Sequence, residues 1–273
     1  MKKILLTAFF PVLLSACNNS GDSSKAAATP GGAASSDSAS AAASAAAHDD
    51  SVSRSATSTT GADPKGWISL FDGKTLKGWH SYGRSIAGKA WQADDSSIHL
   101  HPYGHASYQT QGGGDLVTDS SFSDFDLRLQ WKIAHKGNSG IIFYVREDTS
   151  KYKETWNTGP EMQVLDINGG GDSHSFKHDI GELYDLIPAT THPAHPALEW
   201  NKAEIVSSNG QLKLYLNDTL ILTTQLWNDA WKQLIAGSKF KDMPGFGTFR
   251  SGHIALQDHG DEVWYKNIRI RKL

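Results

Sequence analysis

The chain has 273 residues, with 26 Lys and Arg set against 29 Asp and Glu for a formal charge of −3. That balance leaves no basic footprint for nucleic acid or anionic lipid. The sequence also lacks a P-loop, a dinucleotide fingerprint after a strand and a Gly-x-Ser-x-Gly elbow, so no NAD or flavin cofactor is expected.

In chain order the first element reads as an address. Lys2 and Lys3 precede an apolar stretch from Ile4 to Leu14, and Ser15 and Ala16 lead to Cys17, the single cysteine. Residues 1–16 resemble a bacterial lipoprotein signal, with Cys17 as the lipidated residue of the mature chain. The apolar run is shorter than the ~20 residues a bilayer span needs, and without a second thiol no internal disulfide is expected. From Asn18 to Asp63 the chain is almost entirely Ala, Ser, Gly, Thr and Asp. Such a composition cannot bury enough apolar surface to offset its ordering entropy, so residues 17–63 are expected to form a disordered tether of about 40 Å root-mean-square span. The expected location is the cell envelope, lipid-anchored and facing the periplasm or on the outer membrane; Asn18 fits outer-membrane sorting.

All nine tryptophans follow Pro64, and residues 64–273 have the size of a single domain. Phe125 to Ile133 alternates apolar and polar residues, the signature of a strand with one buried face. Further strands are expected over Ile141–Arg146, Glu161–Ile167, Ala203–Val206, Gln211–Asn217, Leu220–Thr224, His253–Asp258 and Val263–Arg271. Asn209-Gly210 marks a tight hairpin turn. The one expected helix is short, Asp229 to Ala236, capped by Asn228 and ended by Gly237. Many antiparallel strands with one short helix predict an all-β, concanavalin-like jelly-roll β-sandwich.

Three clusters carry candidate chemistry. In Glu161-Met162-Gln163-Val164-Leu165-Asp166, strand parity puts Glu161 and Gln163 on one face, and a bulge near Leu165 would bring Asp166 to the same side. The pattern resembles the bulged acidic strand of laminarinase-like glycosidases, with Gln163 in the place of the middle acid. The second cluster, Gln257-Asp258-His259-Gly260, ends a strand and supplies an amide, an acid and an imidazole. The third is the loop from Gly169 through His174 and His178 to Tyr184, in which Asp166, His174 and His178 are donors suited to a divalent cation. His99, His101 and His105 read as surface or core-edge residues.

Several motifs in register resemble the 3-keto-disaccharide hydrolase family: Leu70-Phe71-Asp72-Gly73 through Gly78-Trp79, Asp115-Leu116-Val117-Thr118, Asn138-Ser139-Gly140-Ile141, Pro160 to Asp166, Gly181 to Ile187, Glu199-Trp200-Asn201 and Leu256 to Gly260. The resemblance implies a jelly roll that cleaves glycosides whose C3 hydroxyl has been oxidised to a ketone, the oxidation being done by a separate dehydrogenase. A C3 ketone acidifies the C2 proton, so a base can remove it and the enolate can expel the C1 substituent. Under that resemblance Glu161, Asp166 or His178 is the base, a bound cation or Arg146 stabilises the enolate, and His259 or Tyr184 protonates the leaving group. Gln163, Gln257 and Asp258 contact sugar hydroxyls, and Trp156, Trp200 and Trp264 are stacking surfaces. Two other classes stay open at this point: a retaining glycosidase on unoxidised glucans, and a non-catalytic carbohydrate-binding module.

Overall fold

The computed structural model describes residues 65–169 and 177–273. Cys17, the expected tether and His174 lie outside them. Strands are numbered in chain order. The larger sheet runs β13 (Thr219–Gln225), β12 (Gln211–Leu216), β11 (Asn201–Ser208), β8 (Phe125–Ile133), β15 (Val263–Lys272), β4 (Ser97–Leu100) and β3 (Trp91–Asp94), and β1 (Trp67–Ser69) joins the far end of β15. The smaller sheet runs β10 (Glu161–Leu165), β9 (Asn138–Val145), β14 (His253–Leu256), β7 (Leu116–Thr118) and β2 (Trp79–Ser81). A two-stranded ribbon, β5 (His105–Ala106) and β6 (Gln109–Thr110), stands apart. The architecture is the expected jelly-roll sandwich, and among the described residues no helix is long and apolar enough to cross a membrane.

The alternation in β8 does what the sequence predicts. Phe125, Leu127, Leu129, Trp131 and Ile133 are buried in the core between the sheets, where they meet Ile141, Phe143, Met162, Val164 and Leu256 of the smaller sheet. Asp126 breaks the pattern, being buried on the outer face because Arg128 and Arg271 close over its carboxylate. The Asn209-Gly210 hairpin has both residues at positive φ, as a tight two-residue turn requires. The helix α1 spans Asp229–Ala236, with the Asn228 side chain accepting from the Trp231 N–H and Gly237 at its end.

The smaller sheet is buried on both faces, and that decides where the site lies. Met162, Ile141 and Leu256 face the sandwich core, whereas Val117, Ile142, Val145 and Ala255 form a second apolar layer on the other side, with Tyr82 and Trp156 packed against it. Loops cover this second face. Ser139 couples the layers: its hydroxyl donates to the Gln257 carbonyl at 2.6 Å and meets the Tyr265 hydroxyl of the opposing sheet at 2.7 Å.

Candidate active site

On the loop-covered face of the smaller sheet, register brings one row of residues together. Gln163 pairs with Gly140, Glu161 with Ile142, and the Gln257 N–H donates to the Gly140 carbonyl. Glu161 and Gln257 are thus two strand spacings apart and offset by two residues along the strand, about 12 Å. Gly140 is required between them, because a Cβ there would overlap the Glu161 carboxyl. Above the row opens a cavity of about 190 Å³ lined by Tyr108, Asn138, Trp156, Glu161, Gln163, Tyr184, Lys239, Phe240, Gln257 and His259.

The cavity holds unusual polar groups. Glu161 is 5% exposed, and its Oε1 has no hydrogen-bond partner among the described residues; neither has Gln257 Oε1. Buried acceptors left unpaired are costly unless a ligand supplies the donors. Burial, and then the charge of Asp115, push the Glu161 carboxyl up to about 8, against a downward pull from the Lys239 ammonium. Lys239 makes no ion pair among the described residues; its Nζ rests 4.0 Å from the Tyr184 ring centroid and 5.2 Å from that of Phe240. Gln163 Nε2 donates to Asn138 Oδ1 at 2.7 Å. The Tyr108 hydroxyl donates to Glu154 at 2.7 Å and its ring lies 5.8 Å from His259.

Two buried acids lie just behind the cavity and fix its walls. The Asp258 carboxylate accepts from the backbone N–H groups of Thr110, Gly114 and Gly260 at 2.8–3.0 Å, so it pins the loops that carry Tyr108 and His259. Asp115 accepts from the Asp258 N–H at 2.9 Å and from the Thr155 hydroxyl. Burial pushes the Asp115 carboxyl up to about 7. On the opposite wall, Asp185 accepts from the Lys239 N–H at 2.6 Å and from His178 Nε2 at 3.0 Å, which fixes Lys239 against Tyr184.

The profile of the family described as the 3-keto-alpha-glucoside-1,2-lyase-like domain matches residues 66–271. The chain belongs to this family. A curated relative from Bacteroides thetaiotaomicron, named 3-keto-disaccharide hydrolase, is 36% identical over 231 residues, covering 77% of this chain and 80% of its own. A Parabacteroides distasonis crystal structure described as a glycosyl hydrolase is 28% identical at TM-score 0.67, over 77% of this chain and 94% of that one. A second from the same organism, 21% identical at TM-score 0.57 over 76% and 99%, shares the fold.

Among the expected site residues of this family member, Glu161, Gln163, Tyr184, Gln257, His259 and Trp156 line the one cavity. Others stand elsewhere. Strict alternation along the strand would put Arg146 on the same face as Ile142 and Tyr144, but Tyr144 has φ +58° and the β9–β14 register slips there. That bulge turns both Phe143 and Tyr144 into the core and reverses the parity beyond. Arg146 is exposed near Phe249, six residues or roughly 20 Å along the strand from Gly140. Asp166 does not return to the row, because β10 pairs with β9 without a bulge through Leu165. Its carboxylate instead accepts from the Lys136 and Asn168 N–H groups at 2.9 and 3.0 Å; burial raises its carboxyl, but those donors outweigh it and hold it below the usual range.

His178 sits behind Tyr184, with ring centroids 4.7 Å apart, and is engaged by Asp185. Of the expected metal donors, Asp166 and His178 are each engaged by other partners, and His174 lies outside the described residues. Asp258 faces backbone donors and not the cavity. Trp200 and Trp264 lie on the outer face of the larger sheet, where Lys132 stands 5.2 and 4.3 Å from their rings. The cavity residues that sequence reasoning missed are Tyr108, Asn138, Lys239 and Phe240. Asn138 lay inside a quoted motif without a role, whereas Lys239, just past the helix cap, carried no signal.

A larger cleft of about 540 Å³ on the outer face of the big sheet is lined by Trp67, Arg128, Glu204 and Arg269, among others. It offers less chemistry. Its indole is covered by the guanidiniums of Arg128, Arg269 and Arg271 at 4.8–4.9 Å, and Arg128 is already paired with Asp126 and Glu204.

Proposed function

We propose that this chain cleaves 3-keto-glycosides by elimination across C1 and C2 followed by hydration, a net hydrolysis. The observation that carries the reading is a single buried carboxyl, Glu161, with an oxygen that has no partner among the described residues, beside an ammonium that makes no ion pair among them, in a cavity whose described lining holds no second carboxyl. Both retaining and inverting glycosidases of the two-carboxylate kind need a pair. The name of the Bacteroides relative points the same way.

In this mechanism Glu161 as carboxylate takes the C2 proton, and the C–H electrons move into the C3 carbonyl to give an enolate. Lys239 stabilises that oxyanion. The enolate then re-forms the ketone as the C1–O bond breaks, with His259 donating a proton to the leaving oxygen. The product has a C1–C2 double bond conjugated to the ketone. Water adds at C1 with His259 taking its proton, and Glu161 returns a proton to C2. Gln163, Asn138 and Gln257 hold the ring hydroxyls, and Trp156, Tyr108 and Phe240 form the walls. The substrate itself must come from a separate enzyme that oxidises a sugar at C3.

Incubation with a 3-keto-glucoside and with its unoxidised parent tests the class. Cleavage of the keto substrate alone is expected; equal cleavage of the parent would overturn the reading. Lipid anchoring at Cys17 belongs to the same proposal. Cys17→Ser is expected to leave activity unchanged and move the protein to the soluble fraction, and a variant still membrane-bound after high-salt washing counts against it.

A further inference from the structure

We propose that Asp94, His99 and His101, on the β3–β4 hairpin, form a binding site for a divalent transition-metal ion of the zinc class. The site lies away from the catalytic cavity, and none of the three residues lines it. One ligand atom from each, a carboxylate oxygen of Asp94 and a ring nitrogen of each histidine, lies within 4.8 Å of the other two. Asp94 Oδ2 is 2.8 Å from His101 Nε2 and 3.0 Å from His99 Nδ1. A tetrahedral ion with bonds of ~2.0–2.1 Å holds its ligand atoms about 3.3 Å apart, so the two contacts to Asp94 Oδ2 need to open by only a few tenths of an ångström. Asp94 and His101 are partly exposed, which gives the ion an entry path and open positions for water.

The hydrogen-bond inventory of His99 gives a second reason. Its Nδ1 faces Asp94, and its Nε2 lies 3.0 Å from Glu262 Oε1. A neutral imidazole has one N–H for these two carboxylates. A cation on Nδ1 resolves the contact with Asp94 and leaves Nε2–H for Glu262, the carboxylate–histidine–metal arrangement that fixes tautomer and ring orientation. Packing reinforces the ring: His99 stacks on Trp264 at 4.5 Å, and His101 lies over His99 at 3.7 Å. Two imidazoles and one carboxylate suit zinc, cobalt or nickel, and are too poor in oxygen for calcium or magnesium. The ion would brace the end of β4, from which the chain continues through Tyr103 and β5 to Tyr108, in the turn of the β5–β6 ribbon and in the cavity wall.

The test is calorimetric titration of the full chain, stripped by chelator, with zinc and with magnesium as the hard-ion control. One equivalent of zinc is expected to bind and magnesium not. Asp94→Asn and His101→Ala should each weaken zinc binding at least tenfold, and Glu262→Gln by about 10–100-fold. Glu161→Gln and His105→Ala should leave it unchanged. Asp94→Asn preserves shape, so it decides the matter if His101→Ala disturbs the hairpin. Absence of one-equivalent binding, or zinc affinity that survives Asp94→Asn, overturns the assignment.

Discussion

Glu161→Gln is expected to lower turnover of a 3-keto-glucoside by about 10²–10⁴-fold, the usual cost of losing a general base. The amide keeps the size of the side chain that lies over Gly140 and loses only its capacity to take a proton. Exchange of the C2 hydrogen with solvent deuterium should disappear together with turnover, because both need the same abstraction. The wild-type enzyme should show kcat/KM rising with pH and levelling above about 8, where the buried carboxyl ionises. Stability should move the opposite way. The folded protein holds a proton on Glu161 that the unfolded chain, with an ordinary carboxyl near 4.5, has already lost, so this group's contribution falls as pH rises between about 4.5 and about 8 and stays low above it. Glutamine removes that penalty. The variant should therefore melt several degrees above wild type at pH 9, with the difference shrinking toward pH 4, since ~1 kcal/mol moves the midpoint of a domain this size by about 2–4 °C. A variant that keeps more than a tenth of wild-type turnover, or one less stable than wild type at pH 9, would falsify the assignment of Glu161 as a desolvated base.

How much of this was legible in the sequence depended on how far each segment obeys a simple period. The β8 strand from Phe125 to Ile133 alternates without interruption, and the helix Asp229–Ala236 carries its cap and its stop, so both were readable to the residue. The early strands β1 to β7 run to four residues at most, too short for a period to show. In β9 the residues that break alternation, Phe143 and Tyr144, are as apolar as their neighbours. No pattern marks the bulge, and Arg146 was carried to the wrong face by counting in twos. Asp166 failed for the converse reason, since a bulge was expected where the pairing is regular. The row of Glu161, Gln163 and Gln257 was recoverable because it needs only parity within single strands. Tyr108, Lys239 and Phe240 sit on loops whose approach to that row is set by buried Asp258 and half-buried Asp185, contacts separated by up to 148 positions. Local pattern holds no information on such distant pairings.

Lys239→Gln is expected to lower kcat by about 10²–10³-fold, comparable to removing one donor from an oxyanion site. The charge has two separable effects. It stabilises the enolate oxygen as electrons move onto C3, and it pulls the Glu161 carboxyl down against burial and Asp115. Removing it should therefore slow turnover and also displace the acid limb of the pH profile to higher pH, since the base then ionises later. A residue that merely packs against Tyr184 and Phe240 would produce neither a shifted limb nor a charge dependence. Lys239→Arg separates the two effects: it keeps the positive charge and should restore the pH limb, but its broad planar guanidinium cannot occupy the same point and should recover only part of the rate. The leaving group supplies the other control. Enolate formation precedes C1–O cleavage, so the Lys239→Gln defect should persist on a keto-glucoside with a nitrophenol leaving group, whereas a His259→Ala defect should shrink there because a good leaving group needs no proton. If the Lys239→Gln defect instead vanishes with nitrophenol, or the acid limb stays where it is in wild type, the ammonium acts on the leaving oxygen or on packing and the enolate must be held by another group.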